Sequence, residues 1–151
     1  MKSLVLLCLQ AGLAAALLVP GRGVHFAVPA PLDLLGSIAG ILGVAIALLA
    51  CFQLGPELTP NPDPKPGGQV HATGLFRFVR HPIYSGLLFA SLGAALRSGN
   101  YFSIATAVCI AVFFRVKAGY EERALLGLHP EYLDYHGRTP RFVPALPRPG
   151  S

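Results

Sequence analysis

Apolar residues fall into four runs that carry no Asp, Glu, Lys or Arg: 3–21, 34–56, 82–96 and 98–114. A helix needs roughly 20 apolar residues to cross a hydrocarbon layer of ~30 Å, within a range of about 17–25. The second run meets this with ease and the first and fourth adequately. The third is short. It predicts a helix that starts on or just before Arg80–His81 and turns at Ser98-Gly99-Asn100, pairing with the fourth in a hairpin with Arg97 at its tip. The expected fold is all-α: a polytopic integral membrane protein of about four transmembrane helices plus a cytosolic C-terminal helical segment. The spans lie near 3–21, 34–56, 82–97 and 98–115, with a cytosolic loop at 57–81 and a cytosolic tail at 117–151, all in a single domain spanning 1–151. The first run has a rival reading, since Lys2, a leucine core and Gly12-Leu13-Ala14-Ala15-Ala16 resemble a secretory signal. Against cleavage, the apolar run continues through Leu17-Leu18-Val19.

Composition strengthens the membrane reading. Of 151 residues 53% are hydrophobic and 13% charged, about half the roughly 25% charge of a soluble domain. Mean hydropathy is +0.56. These values exclude a soluble enzyme with an ordinary surface and a disordered chain. The net charge of +5 comes without a basic run interleaved with aromatics, so no nucleic-acid partner is expected. Cys8, Cys51 and Cys109 lie in apolar runs with no zinc or disulfide spacing, so no metal is expected. With four spans, ten of the twelve Lys and Arg residues share one side, and only Arg22 and Arg97 oppose them. The positive-inside rule then puts both termini and the 57–81 loop in the cytoplasm. Within that loop, Pro56, Pro60, Pro62, Pro64 and Pro66 favour an extended, water-exposed linker.

Polar residues in so apolar a chain are costly near a bilayer, and they gather in two places. One runs from Gln69 to Gly86; the other holds Arg115, Lys117, Glu121-Glu122-Arg123, then Glu131-Tyr132, Asp134-Tyr135, Arg138 and Arg141. The hairpin brings both to one end, at the membrane–cytosol boundary. Thr73-Gly74-x-Phe76, Arg80-His81-Pro82-x-Tyr84-x-Gly86 and the later Glu121-Glu122 with Glu131-Tyr132-x-x-Tyr135 resemble the isoprenylcysteine carboxyl methyltransferase family, which belongs to a wider group with the phospholipid N-methyltransferases. The resemblance covers about 34–144 and rests on several motifs in order.

That resemblance implies a multi-pass enzyme using S-adenosyl-L-methionine on a lipophilic small-molecule or lipidated substrate. Carried over by position, the cofactor contacts are Gln69, Val70, His71, Phe76, His81, Pro82, Ile83, Tyr84 and Glu121. Lys117 takes the place of the family's substrate-facing basic residue, where arginine is expected. Two departures touch substrate detail: Phe76 replaces a usual tyrosine, and His129-Pro130 stands where Phe-Gly is typical.

Elementary chemistry fits that expectation. Phe76, Phe78 and Tyr84 offer electron-rich faces to a sulfonium or adenine, at about 0.5–2 kcal/mol per cation–π contact. Glu121 and Glu122 suit an ammonium, and His81 suits a carboxylate or ribose oxygen. A carboxylate acceptor, with a pKa of about 3.5, is already ionised and needs only a cation such as Lys117 or Arg80 to orient it. An amine acceptor must lose a proton, with His81 or Glu122 as base. The residues leave both reactions open. The preferred one is carboxyl O-methylation of a prenylcysteine-like substrate. The alternatives are N-methylation of a phospholipid or other amine, an NADPH-dependent membrane reductase on a related scaffold, and a non-catalytic membrane scaffold. A doubled glutamate argues against the reductase, because dinucleotide phosphates want cations. Taken singly, Arg77, Arg80, Arg115 and Lys117 read as positive-inside anchors, His136 as a surface residue, and Tyr101, Phe102, Tyr132 and Tyr135 as interfacial belts.

Overall fold

A computed structural model describes residues 8–13, 15–16, 24–58 and 70–144. Gln69, most of the proline linker and parts of the first expected span lie outside them. The chain is helical at 8–13 and 15–16, then forms α1 (Ala30–Leu54), α2 (Pro82–Ser98), α3 (Tyr101–Leu128) and the short α4 (Tyr132–Arg138). Tight 3-10 turns occupy Gly55–Glu57 and Gly74–Arg77. Among the described residues there is no strand, only a bridge between His25 and Asn100.

Helix α1 starts four residues before the expected 34. Pro31 and Asp33 sit in its first turn, where a missing N–H costs nothing and a carboxylate favours the helix dipole. Helix α2 opens with Pro82 rather than on or before Arg80–His81, because the residue ahead of a proline is held out of the helical region, and it closes at Gly99, whose φ of 56° is left-handed. A Cβ on Gly99 would lie 2.6 Å from the Phe26 carbonyl oxygen. Asn100 then caps α3, its side chain accepting from Phe102 N at 2.7 Å. The expected hairpin turn is therefore present, with Arg97 paired to Asp33 beside it.

The expected boundary at 115–117 is not a break. Helix α3 runs unbroken for 28 residues, because Arg115, Lys117, Glu121, Glu122 and Arg123 are sound helix formers. The C-terminal helical segment is thus continuous with the fourth apolar run, and one rod carries Lys117, Glu121 and Glu122.

Helices α1 and α2 pack backbone to backbone. A Cβ added to Gly43 would sit 2.4 Å from Ala90 N, one on Gly86 2.5 Å from Ala47 N, and one on Gly93 2.4 Å from the Gly36 carbonyl oxygen. Large side chains point the other way: Ile41 is 71% exposed and Phe52 82%. Small residues inside and large apolar ones outside reverse the soluble pattern and suit lipid. Both α1 and α3 are long and apolar enough to cross a membrane, whereas α2, at 17 residues, lies at the lower bound. Ile110, Phe113 and Phe114 of α3 form a core cluster with Leu13, Tyr84, Leu87, Leu88 and Phe142.

Candidate functional site

Lys117 and Glu121 are four residues apart on α3 and share a face; Glu122 is turned from Glu121 by about 100°. Adjacent glutamates therefore serve two neighbourhoods.

Glu121 faces α2. Its Oε1 accepts from the Tyr84 hydroxyl at 2.5 Å, and its Oε2 lies 3.6 Å from His81 Nδ1. The Tyr84 ring is stacked between His81, 5.3 Å away and nearly parallel, and Phe114 at 4.7 Å. Lys117 is buried, places Nζ 5.4 Å from the Tyr84 ring centroid and donates to Gln10 Oε1 at 2.9 Å.

Glu122 faces the loop before α2 and the tail after α4. Oε1 accepts from Arg80 Nε at 3.0 Å and Arg141 Nε at 3.1 Å, with His81 Nε2 at 3.0 Å. Oε2 takes the second prong of the Arg141 fork and has His136 Nε2 at 3.5 Å. The carboxylate is 3% exposed. Two guanidinium partners, with two imidazoles beside them, supply the pairing and hydrogen bonds that a buried charge requires.

Arg80 also donates through Nη1 to the carbonyls of His136 and Thr139, each at 2.5 Å, satisfying groups at the end of α4. The backbones of the two clusters are tied as well. Arg80 N donates to Pro140 O at 2.8 Å and His81 N to Arg141 O at 3.1 Å, while the Ser85 hydroxyl donates to Phe142 O at 2.7 Å.

The loop itself is shaped by α1. Leu75 N donates to Gln53 Oε1 at 2.9 Å, and a Cβ on Gly74, at φ 59°, would lie 2.6 Å from that oxygen. Only glycine accommodates both demands at the Thr73-Gly74 step. Phe76 is buried, and its carbonyl accepts from the Tyr135 hydroxyl at 2.5 Å.

Of the residues expected at the site, Arg80, His81, Tyr84, Lys117, Glu121 and Glu122 come together at one end of the helices. Pro82 is buried at the first position of α2, and His71 lies 6.1 Å from the Phe76 ring. Val70 and Ile83 are half-buried and offer apolar walls. Arg80 and Glu122, expected to meet substrate, are instead each other's partners.

Two readings change. Tyr132 and Tyr135 are buried, at 3% and 5% exposure, rather than set in an interfacial belt, because α4 folds back onto the 73–81 loop. Burial pushes the Tyr135 hydroxyl up to about 12. His136, read as a surface residue, and Arg141, placed in the second cluster without a role, both reach Glu122. Gln53 and Gln10 were missed, and the nearest signal for this region was the recurrence of arginine at 138 and 141 beside the tyrosine pair. Among the described residues no group of three or more His, Cys, Asp or Glu is arranged to hold a metal.

Residues 32–129 match a family model described as phospholipid methyltransferase. Protein-S-isoprenylcysteine O-methyltransferase B of Arabidopsis thaliana is 38% identical over 73 residues, which make up 47% of this chain and 37% of that protein. The alignment thus spans little more than a third of the relative's length. The family match runs from the first turn of α1 to the end of α3 and takes in the loop, the hairpin and both glutamates, so the chain belongs to the phospholipid methyltransferase family.

Proposed function

We propose that this protein transfers a methyl group from S-adenosyl-L-methionine to a lipophilic acceptor at the membrane–cytosol boundary, and that the acceptor is a carboxylate of prenylcysteine type. The observation that carries this reading is the Tyr84–His81–Glu121–Lys117 group, where a carboxylate, a buried ammonium and stacked rings meet at one end of apolar helices. The donor set fits the cofactor. Glu121 is the anion for an ammonium end, the His71 and Phe76 rings are flat faces for a base, and His81 can donate to an oxygen. Bound there, S-adenosylmethionine would supply a methyl group made electrophilic by its sulfonium.

The chain's own residues position and shield. Lys117 orients the acceptor carboxylate, and Tyr84 holds Glu121 in place. Proximity and alignment supply the catalysis, because an ionised carboxylate needs no base. Glu122 takes no part in the chemistry, since donors already occupy both its oxygens. Arg80 likewise serves as the clamp joining α4 to the loop.

The family description names a second acceptor class, a phospholipid, whose headgroup amine would be the group methylated. That reaction needs a proton acceptor, and both ring nitrogens of His81 face carboxylate oxygens. We place the active site and both termini on the cytosolic side of a multi-pass protein, in keeping with the ten-to-two charge bias.

Calorimetry with S-adenosylhomocysteine tests the cofactor reading: binding by the wild type and at least tenfold weaker binding by Glu121→Gln are expected, and no heat at millimolar ligand overturns it. Labelled methyl transfer to an S-prenylcysteine acid or to phosphatidylethanolamine then decides the acceptor.

A further inference from the structure

We propose that Gln10 is a positioning and specificity residue for the acceptor, holding the Lys117 ammonium at the point where an acceptor carboxylate replaces the amide oxygen. This rests on the acceptor reading above. Gln10 is the sole amide between Leu4 and Pro20, and a polar side chain in such a run is costly unless it serves a purpose. Its register is fixed by Leu13, three residues on, which packs against Ile110, Phe113 and Phe114. One turn further along α3, Lys117 meets Gln10 at 2.9 Å while only 2% exposed. The ammonium is thus desolvated, set over the Tyr84 ring and held by a neutral oxygen.

A neutral amide is the right holder for a site that must be vacated. Both the amide and a carboxylate accept a charge-assisted bond from the ammonium, but only the carboxylate adds the attraction of opposite charges in a site shielded from water, so an arriving carboxylate displaces the amide from Lys117. The amide also carries an NH2 group, and after turning over it donates to the second carboxylate oxygen. Once methylated, the acceptor is an uncharged ester and loses the attraction of opposite charges to Lys117. Gln10 then regains the ammonium, and product leaves. The helix carrying residues 8–13 therefore forms one wall of the acceptor site, with α3 as the other.

The test is binding of an S-prenyl thioacetic acid and of its methyl ester to the full chain in nanodiscs. Wild type is expected to prefer the acid at least tenfold. Gln10→Glu supplies a permanent internal carboxylate, so the acid weakens at least tenfold and the ester is unchanged. Gln10→Met, of similar volume, lowers acid binding several-fold through loss of the NH2 donor and again spares the ester; it keeps the test open should Gln10→Glu fail to accumulate. Equal effects on acid and ester, no effect on either, or a wild type without preference overturns the assignment. S-adenosylhomocysteine binding, measured on the same samples, reports separately on the methyltransferase reading and is expected to be unchanged by both variants.

Discussion

The seam between α1 and α2 and the cluster around Glu122 bind helices together in opposite ways. Along the seam, glycines let two backbones touch at Gly43, Gly86 and Gly93, with the exposed Asp33–Arg97 pair at the end beside Gly36. Around Glu122, one carboxylate gathers two arginines and two histidines drawn from the loop, α4 and the tail. Lipid is as apolar as leucine, so close packing must replace the hydrophobic drive between membrane helices. Where charge is buried, the energy lies instead in not leaving any partner alone. The seam should therefore respond to added volume and the cluster to removed charge.

Glu122→Ala removes the shared anion and strands Arg80, Arg141 and His81. Loss of about 3–5 kcal/mol is expected, seen as a large fall in thermal midpoint in detergent; an unchanged midpoint would show the cluster to be ornamental. Gly43→Ala places a methyl 2.4 Å from the Ala90 backbone and should cost about 1–3 kcal/mol. Its neighbour Gly40 has nothing within 4 Å of an added Cβ, so Gly40→Ala should be neutral or stabilising. Equal effects at the two positions would contradict backbone contact along the seam.

Smaller effects follow at the edge of the cluster. Tyr135→Phe loses the bond to the Phe76 carbonyl, worth about 1 kcal/mol. Because burial lifts this hydroxyl from 10.0 to about 12, its contribution is complete below pH 10 and is lost as pH rises toward 12. The variant should accordingly show a shallower alkaline loss of stability in a pH series of unfolding curves. Arg138→Ala breaks a pair with Asp134 in which both side chains are more than two-thirds exposed, and a change under about 0.5 kcal/mol is expected.

How far the sequence foretold these regions differs for the same physical reason. Punctuation acts locally, so Ser98-Gly99-Asn100 as a turn was readable from chemistry within a few residues, whereas the start of α2 at Pro82 was expected on or before Arg80–His81. The meeting of Arg80, His81, Tyr84 and Glu121 was readable through motif order and the hairpin. Charge was a poor guide to helix ends, since Arg115 does not interrupt α3. The pairing of Arg80 with Glu122 spans 42 positions and that of Tyr135 with Phe76 spans 59, separations that leave no periodic trace. Rotation along α3 could have separated the roles of Glu121 and Glu122, for neighbours on a helix cannot face the same partner. The small residues of the seam were likewise visible, but their meaning required knowing which two helices touch.

The unbroken α3 also acts as a depth gauge. Its 28 residues extend about 42 Å at 1.5 Å per residue, about 12 Å beyond a ~30 Å hydrocarbon layer. In the proposed orientation, with Tyr101 at the far interface, Lys117 lies about 24 Å along the rod and Glu121 about 30 Å. The ammonium is then about 6 Å below the surface and the carboxylate level with the surface, so on the proposed function a single rigid element sets how deep a lipid-borne acid must rise to meet a water-borne cofactor. Bilayers a few ångströms thicker should draw that meeting point into hydrocarbon and slow turnover, although no residue at the site has changed.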